Sequence, residues 1–240
     1  MAKNKSKKPK KKPSAAKAKR RGARSKPVSL DQRENIFLVA GIGGSAGGLQ
    51  ALRQFFSKVP AESGIAYIVA LHLAPDRKSM LSSILGQVVK VPVVEIREGE
   101  PIVPNHVYVV PAGMVATVDR FRFKLRKAGN APRHPIDALF ESLGEVVGTR
   151  AAAIVLSGLG DDGSRGVKAI REHGGLTIAQ GSDSSAPQHE EMPRSAAATG
   201  AVDLVLSVED IPKALIDHAR HLNKIKKMES PVRQKRKRTI

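Results

Sequence analysis

The sequence predicts an α/β protein whose mainly parallel sheet is covered by helices on both faces. Two observations carry this: apolar runs of strand length alternate with helix-length patterns, and the first run passes straight into a glycine-rich turn. A third, the alternation over residues 114–126, inserts a β-hairpin beside the sheet.

The elements follow in order. An apolar strand over 36–42 leads through Gly41-Ile42-Gly43-Gly44-Ser45-Ala46-Gly47-Gly48 into a helix over 46–57. A strand over 65–73, a helix around 78–85 and strands over 91–96 and 107–110 come next. In the hairpin, Arg120, Arg122 and Lys124 take one side, and Phe121, Phe123 and Leu125 the other. Proline at an early position opens a helix over 135–147, followed by a strand over 151–156. Gly174-Gly175 stops a helix over 164–173. A strand over 176–180, a polar loop over 181–191, a short helix from Pro193, a strand over 203–206 and a helix over 208–222 complete the chain's ordered part.

Charge divides the chain. The 240 residues carry a formal charge of +19, but residues 1–27 hold ten Lys and three Arg with no acid, and 224–240 hold eight basic residues and Glu229. The stretch between is nearly neutral and long enough for one domain with a substantial core, whereas the ends are too polar to bury anything. The expected organisation is a basic disordered arm over 1–35, a folded domain over 36–222 and a basic disordered tail over 223–240. Such arms attract polyanions, so an acidic protein, an anionic membrane surface or nucleic acid is the expected contact.

Cysteine is absent, which excludes disulfides, thiolate metal sites and cysteine nucleophiles. Tryptophan is also absent and aromatics make up 3%, which argues against stacking platforms for bases or sugars. No apolar run approaches the ~20 residues of a membrane span, and the arm has no signal-peptide core. A cytoplasmic location is the expectation.

The glycine-rich turn fits two chemistries and one bland role. Gly43-Gly44-Ser45-Ala46-Gly47 matches the nucleophile turn G-x-S-x-G, Gly41-Ile42-Gly43-Gly44-Ser45-Ala46 matches a degenerate dinucleotide pattern, and either stretch suits close packing of a helix on a sheet. The dinucleotide reading wants an acid at the end of the second strand, where His72 stands instead; Asp76 comes too late.

Ligands of open parallel sheets bind beyond the carboxyl ends of the strands, where Ser45, His72 and Asp162 stand. A hydroxyl, an imidazole and a carboxylate on one edge can act as nucleophile, base and orienter. Their Ser…His…Asp order differs from that of α/β-hydrolases, chymotrypsin and subtilisin. Spacing does not choose between Asp161 and Asp162, either of which suits a helix N-cap. Among the other histidines, His106 falls at the wrong sheet edge, His173 ends a helix, and His218 and His221 fall on the exposed side of the last helix. His134 and His189 lie in loops within reach of the site.

Together these segments resemble the catalytic domain of the CheB family of protein-glutamate methylesterases. The resemblance rests on Gly44-Ser45-Ala46-Gly47-Gly48, Leu71-His72-Leu73-Ala74-Pro75, Val107-Tyr108-Val109-Val110-Pro111-Ala112-Gly113, and Pro135-Ile136-Asp137-Ala138-Leu139-Phe140-Glu141-Ser142-Leu143. It continues through Leu156-Ser157-Gly158-Leu159-Gly160-Asp161-Asp162-Gly163, Thr177-Ile178-Ala179-Gln180 and Met192-Pro193-Arg194-Ser195-Ala196, covering about residues 36–215. It implies a three-layer α/β/α fold with a doubly wound sheet. It also implies Ser45 as nucleophile, His72 as general base and acid, and Asp162 as its orienting carboxylate, with the backbone N–H groups of Ala46 and Leu159 as oxyanion hole.

The implied reaction is hydrolysis of glutamate γ-methyl esters on a methylated chemoreceptor-like protein, with glutamine deamidation as a related activity and no metal or organic cofactor. The front of the chain departs from the family pattern, because residues 1–35 do not resemble a receiver domain, so control is expected to differ. The alternatives are a catalytically silent or nucleotide-binding module docking on a polyanionic partner, and a nucleic-acid-associated protein.

Overall fold

The computed structural model describes residues 37–72, 80–129, 134–181 and 186–236. The N-terminal arm, Leu73-Ala74-Pro75, the start of the helix placed at 78–85 and part of the polar loop lie outside them. The first half runs β1 (Val39–Gly44), α1 (Gly48–Ser57), β2 (Ala66–Leu71), α2 (Leu81–Leu85), β3 (Val93–Glu95) and β4 (His106–Val109). A hairpin follows, β5 (Met114–Asp119) and β6 (Arg122–Lys127), then α3 (Pro135–Val147), a short 3₁₀ turn and β7 (Ala151–Val155). The chain continues through α4 (Ser164–Glu172), β8 (Leu176–Gln180), α5 (Glu191–Ala198), β9 (Leu204–Leu206) and α6 (Ile211–Arg236).

Seven strands pair in the order β3-β4-β2-β1-β7-β8-β9, all parallel, and β5–β6 form a separate antiparallel pair. The chain winds outward from β1 in one direction, returns, and winds outward from β7 in the other. The reversal falls between β1 and β7, the crevice where open sheets bind ligands.

Alternation along the central strands sends residues to two cores. Ala40, Ile42, Tyr67 and Val69 meet Leu52, Phe55 and Phe56 of α1 and Ile211 and Leu215 of α6. Val39, Ile68, Ala153 and Val155 meet Ile136, Phe140 and Leu143 of α3 and Val167 and Ile170 of α4. Two glycines on the α3 side of β1 set how close that helix comes. A Cβ on Gly41 would lie 2.8 Å from Phe140, and one on Gly43 only 2.4 Å from Ile136. The packing role considered for this glycine-rich stretch is therefore met by Gly41 and Gly43.

Several boundaries differ from the sequence reading. β1 runs to Gly44 rather than ending at residue 42, because parallel partners on both sides, Ala70 and Leu71 on β2 and Val155 on β7, hold the glycines extended. Arg120 and Phe121 form the hairpin turn, with φ of 49° and 59°, so Phe121 is not a strand residue. Its ring packs edge-on against Phe37 and beneath the Arg150 guanidinium.

The last helix continues to Arg236, through a stretch read from sequence as disordered tail. Lysine and arginine are strong helix formers, and cations suit a helix C-terminus. His218 is half buried rather than exposed, its Nε2 has no partner among the described residues, and burial lowers its pKa. The chain's two tyrosines, Tyr67 and Tyr108, are both buried, and burial pushes each phenol up to about 12.

Candidate active site

The parallel register places the candidate residues side by side. Gly44 pairs with Leu71, and the His72 N–H donates to the Gly44 carbonyl at 3.1 Å, so His72 stands beside the residue that follows Gly44, which is Ser45. On the other flank the Ser45 N–H donates to the Ser157 carbonyl at 3.0 Å, which ties the turn after β1 to the loop after β7.

Asp162, on that loop, is 3% exposed and accepts a 2.7 Å hydrogen bond from His72 Nε2. It also accepts the Ile136 N–H at 3.0 Å and the Asp137 N–H at 2.9 Å. These are early N–H groups of α3, which have no partner inside the helix and lie at its positive end. The carboxylate is thus held by two backbone donors and aimed at the imidazole. Asp161 is exposed, its backbone carbonyl accepts the Ser164 N–H at 3.0 Å in the turn that opens α4, and among the described residues it makes no hydrogen bond to His72.

With Nε2 on Asp162, Nδ1 is the ring nitrogen left to serve Ser45. No hydrogen bond joins the Ser45 hydroxyl to His72 among the described residues. The hydroxyl turns about a single side-chain torsion, and hydrogen bonds of this kind commonly close only once substrate is bound.

The α1 end of the site is built differently. Gly47 takes φ 75° ahead of α1, whose first turn has neither a side-chain cap nor an acid. Among the described residues nothing accepts a hydrogen bond from the Ala46 or Leu159 N–H. Leu159, 49% exposed, sits between Gly158, whose N–H donates to His189 O, and Gly160, whose N–H donates to Glu191 of α5.

The structure adds residues that the sequence reading passed over. Ser157 is 1% exposed, donates to Ala46 O at 2.9 Å and accepts the His189 N–H at 3.0 Å, while its own N–H reaches Gln180 Oε1 at 3.0 Å. It joins the Ser45 turn, the β7 loop and the segment before α5. A cavity of about 280 Å³ lined by Gly47, Gln50, Gln54, Ser157, Gln180 and Gln188 opens beside it. The run Leu156-Ser157-Gly158 was legible as a motif, but nothing in it singled out the serine.

His134 does reach the site: its Nδ1 lies 3.6 Å from Asp137 and 3.9 Å from Asp162. His189 contributes backbone contacts. His106 bonds Pro104 O and His173 bonds Ala169 O, both away from the site. His134, Asp137 and Asp162 lie close enough to share an ion, but hydrogen bonds already engage both carboxylates.

A hydroxyl on a tight strand-to-helix turn, beside an imidazole paired with a buried carboxylate at the switch point of a doubly wound sheet, defines the serine-hydrolase class of site. A family model described as CheB methylesterase matches residues 40–215, most of the ordered body. A putative protein-glutamate methylesterase/protein-glutamine glutaminase of Leptospira interrogans serovar copenhageni is 33% identical over 178 residues, which cover 73% of this chain and 91% of that protein. Protein-glutamate methylesterase/protein-glutamine glutaminase 2 of Pseudomonas aeruginosa is 33% identical over 187 residues, covering 75% of this chain and 53% of its own length.

The crystal structure of the Thermotoga maritima CheB methylesterase catalytic domain superposes with a TM-score of 0.69 at 26% identity, covering 76% of this chain and 98% of that one. The chain belongs to the CheB methylesterase family. That membership favours the hydrolase over the nucleotide-binding reading of the glycine-rich turn.

Proposed function

We propose that this chain hydrolyses glutamate γ-methyl esters on methylated chemoreceptor-like proteins, yielding glutamate and methanol, and deamidates glutamine at the same site. The observation that carries the reading is the 2.7 Å bond from buried Asp162 to His72, beside the Ser45 turn. Ser45 Oγ attacks the ester carbonyl while His72 takes its proton; His72 then protonates the departing methoxide and activates water to release the acyl group. Asp162 orients the imidazole and balances its charge.

The Ala46 and Leu159 N–H groups receive the oxyanion, with the uncapped start of α1 adding a favourable dipole. Removing one such donor typically costs ~10²–10³-fold in turnover. For glutamine the same steps release ammonia.

The site of action is the cytoplasm; among the described residues no helix is long and apolar enough to cross a membrane. The basic ends are assigned to contact with an acidic protein, an anionic membrane surface or nucleic acid, a contact that weakens as salt rises.

The direct test is methanol release from methylated receptor membranes by the wild type and by Ser45→Ala, with equal folding checked by circular dichroism. Turnover by the wild type and none by Ser45→Ala is expected. Equal turnover by both would overturn the assignment of Ser45.

A further inference from the structure

We propose that Asp137 is a positioning residue for the reaction: it locks the Asp162 carboxylate onto His72 through a reciprocal cap between α3 and α4. The inference rests on the role given to Asp162 above.

Asp137 is 1% exposed, and its carboxylate is aimed at the neighbouring helix rather than at its own. Oδ1 accepts the Gly163 N–H at 2.9 Å and the Gly166 N–H at 2.8 Å, and Oδ2 accepts Arg165 Nε at 3.0 Å. These donors belong to the start of α4, as the Ile136 and Asp137 N–H groups belong to the start of α3. The first turn of α3 thus supplies the carboxylate that caps α4, and the loop leading into α4 supplies the one that caps α3.

The exchange forms a closed loop. Asp162 grips the start of α3 by its side chain, and Asp137, on that first turn, grips the N–H of Gly163, the residue next to Asp162. The backbone and the side chain of Asp162 are therefore held at once from a single helix end. Gly163 has φ 98°, and a Cβ there would sit 3.1 Å from Ile136, so the loop follows a path ordinary side chains rarely adopt. Glycine adopts that path without strain, and the two bonds from Asp137, to the Gly163 and Gly166 N–H groups, fix the loop against the start of α3.

Two positive helix ends meet at this point and two carboxylates balance them; the Arg165 guanidinium at 3.0 Å and the titratable His134 ring at 3.6 Å also face Asp137. Without the Asp137 carboxylate the Gly163 and Gly166 donors lose their acceptor, and Asp162 becomes the sole anion between the helix ends. The loop relaxes and the aim of Asp162 at His72 loosens. Misplacement of a reacting group by about 1 Å costs on the order of 10²-fold in rate.

The test measures kcat and KM for methyl-ester hydrolysis by the full chain, well below each variant's melting temperature. Asp137→Ala is expected to lose on the order of 10²-fold in kcat with KM little changed. Asp137→Asn, whose amide oxygen still accepts the Gly163 and Gly166 N–H groups, is expected to recover most of that loss. Combined with Asp162→Asn, Asp137→Ala should cost no more than about a further twofold, because residues acting as one unit are not additive.

If Asp137→Ala does not fold, Asp137→Ser, which keeps a hydroxyl in the pocket, carries the same comparison. A lower melting temperature with kcat unchanged would reduce Asp137 to a structural cap and overturn the proposal. So would a full additional loss in the Asp162→Asn background. Unchanged kcat in Asp162→Asn alone would instead remove the role of Asp162, and this proposal with it.

Discussion

Three of the helix starts around the site are treated in opposite ways. The starts of α3 and α4 each receive a buried carboxylate from the other segment, whereas the start of α1, next to Ser45, receives no carboxylate. All three ends carry the same partial positive charge from unpaired N–H groups. Two are neutralised, and that fixes the orienting carboxylate. The third is left without a carboxylate beside Ser45, where the proposed mechanism develops negative charge on a tetrahedral intermediate and preorganised dipoles would accelerate acyl transfer most. Stability is placed behind the imidazole and withheld in front of the hydroxyl.

The largest break in this contrast is Asp162→Asn. It leaves the α3 donors an acceptor but no anion to hold the imidazole, and should lower kcat by about 10³–10⁴-fold. Steady-state turnover on methylated membranes reads this out, with the melting temperature as the control for folding.

A mechanical break comes next. Gly43→Ala puts a methyl 2.4 Å from Ile136, at the start of α3, and should destabilise the fold by about 1–3 kcal/mol. Combining it with Ile136→Ala, which removes the clashing Cγ2, should cost less than the sum of the single changes. Urea denaturation of the four proteins decides it, and additivity would mean that α3 does not depend on that contact.

The contrast can also be sharpened from the α1 side. Gln50→Glu gives α1 the first-turn acid it lacks, which should stabilise the helix by about 0.3–1 kcal/mol. The same charge opposes the oxyanion and should lower kcat roughly two- to fivefold. A thermal melt and a kcat measurement on one preparation check both signs, and a variant gaining stability and rate together would contradict the reading of α1.

The smallest effects concern pH, away from the site. Burial lowers the His218 pKa, so its share of stability is present above its unfolded value near ~6.5 and fades as pH falls below it. His218→Gln should flatten the stability curve between roughly pH 7 and 5, read by chemical denaturation. Tyr67 and Tyr108, raised to about 12, act in reverse: their contribution is complete below ~10 and is lost as pH climbs through the folded value. As they are the chain's only tyrosines, phenolate absorbance should stay low until near pH 12 or until the protein unfolds.

Much of this architecture was legible in the residues because its signals are local. Apolar runs and proline or glycine punctuation gave α3 and β8 their observed ends, and strand-end polarity pointed to Ser45, His72 and the Asp161-Asp162 pair. Where local preference competed with pairing it misled: the glycines of β1 stay in the sheet because β2 and β7 hold them.

The sequence by itself determined the order of the elements, the single α/β body and the hydroxyl, imidazole and carboxylate at one sheet edge, because periodicity and turn chemistry act over a few residues. Spacing alone left Asp161 and Asp162 open and the family resemblance pointed to Asp162; only the tertiary structure showed the Asp162–His72 bond itself, the exchange of caps between Asp137 and Asp162, and Ser157 tying three loops together. Those outcomes depend on hydrogen bonds between residues 25 to 111 positions apart. Such bonds form only once close packing has brought the two winding halves of the sheet together.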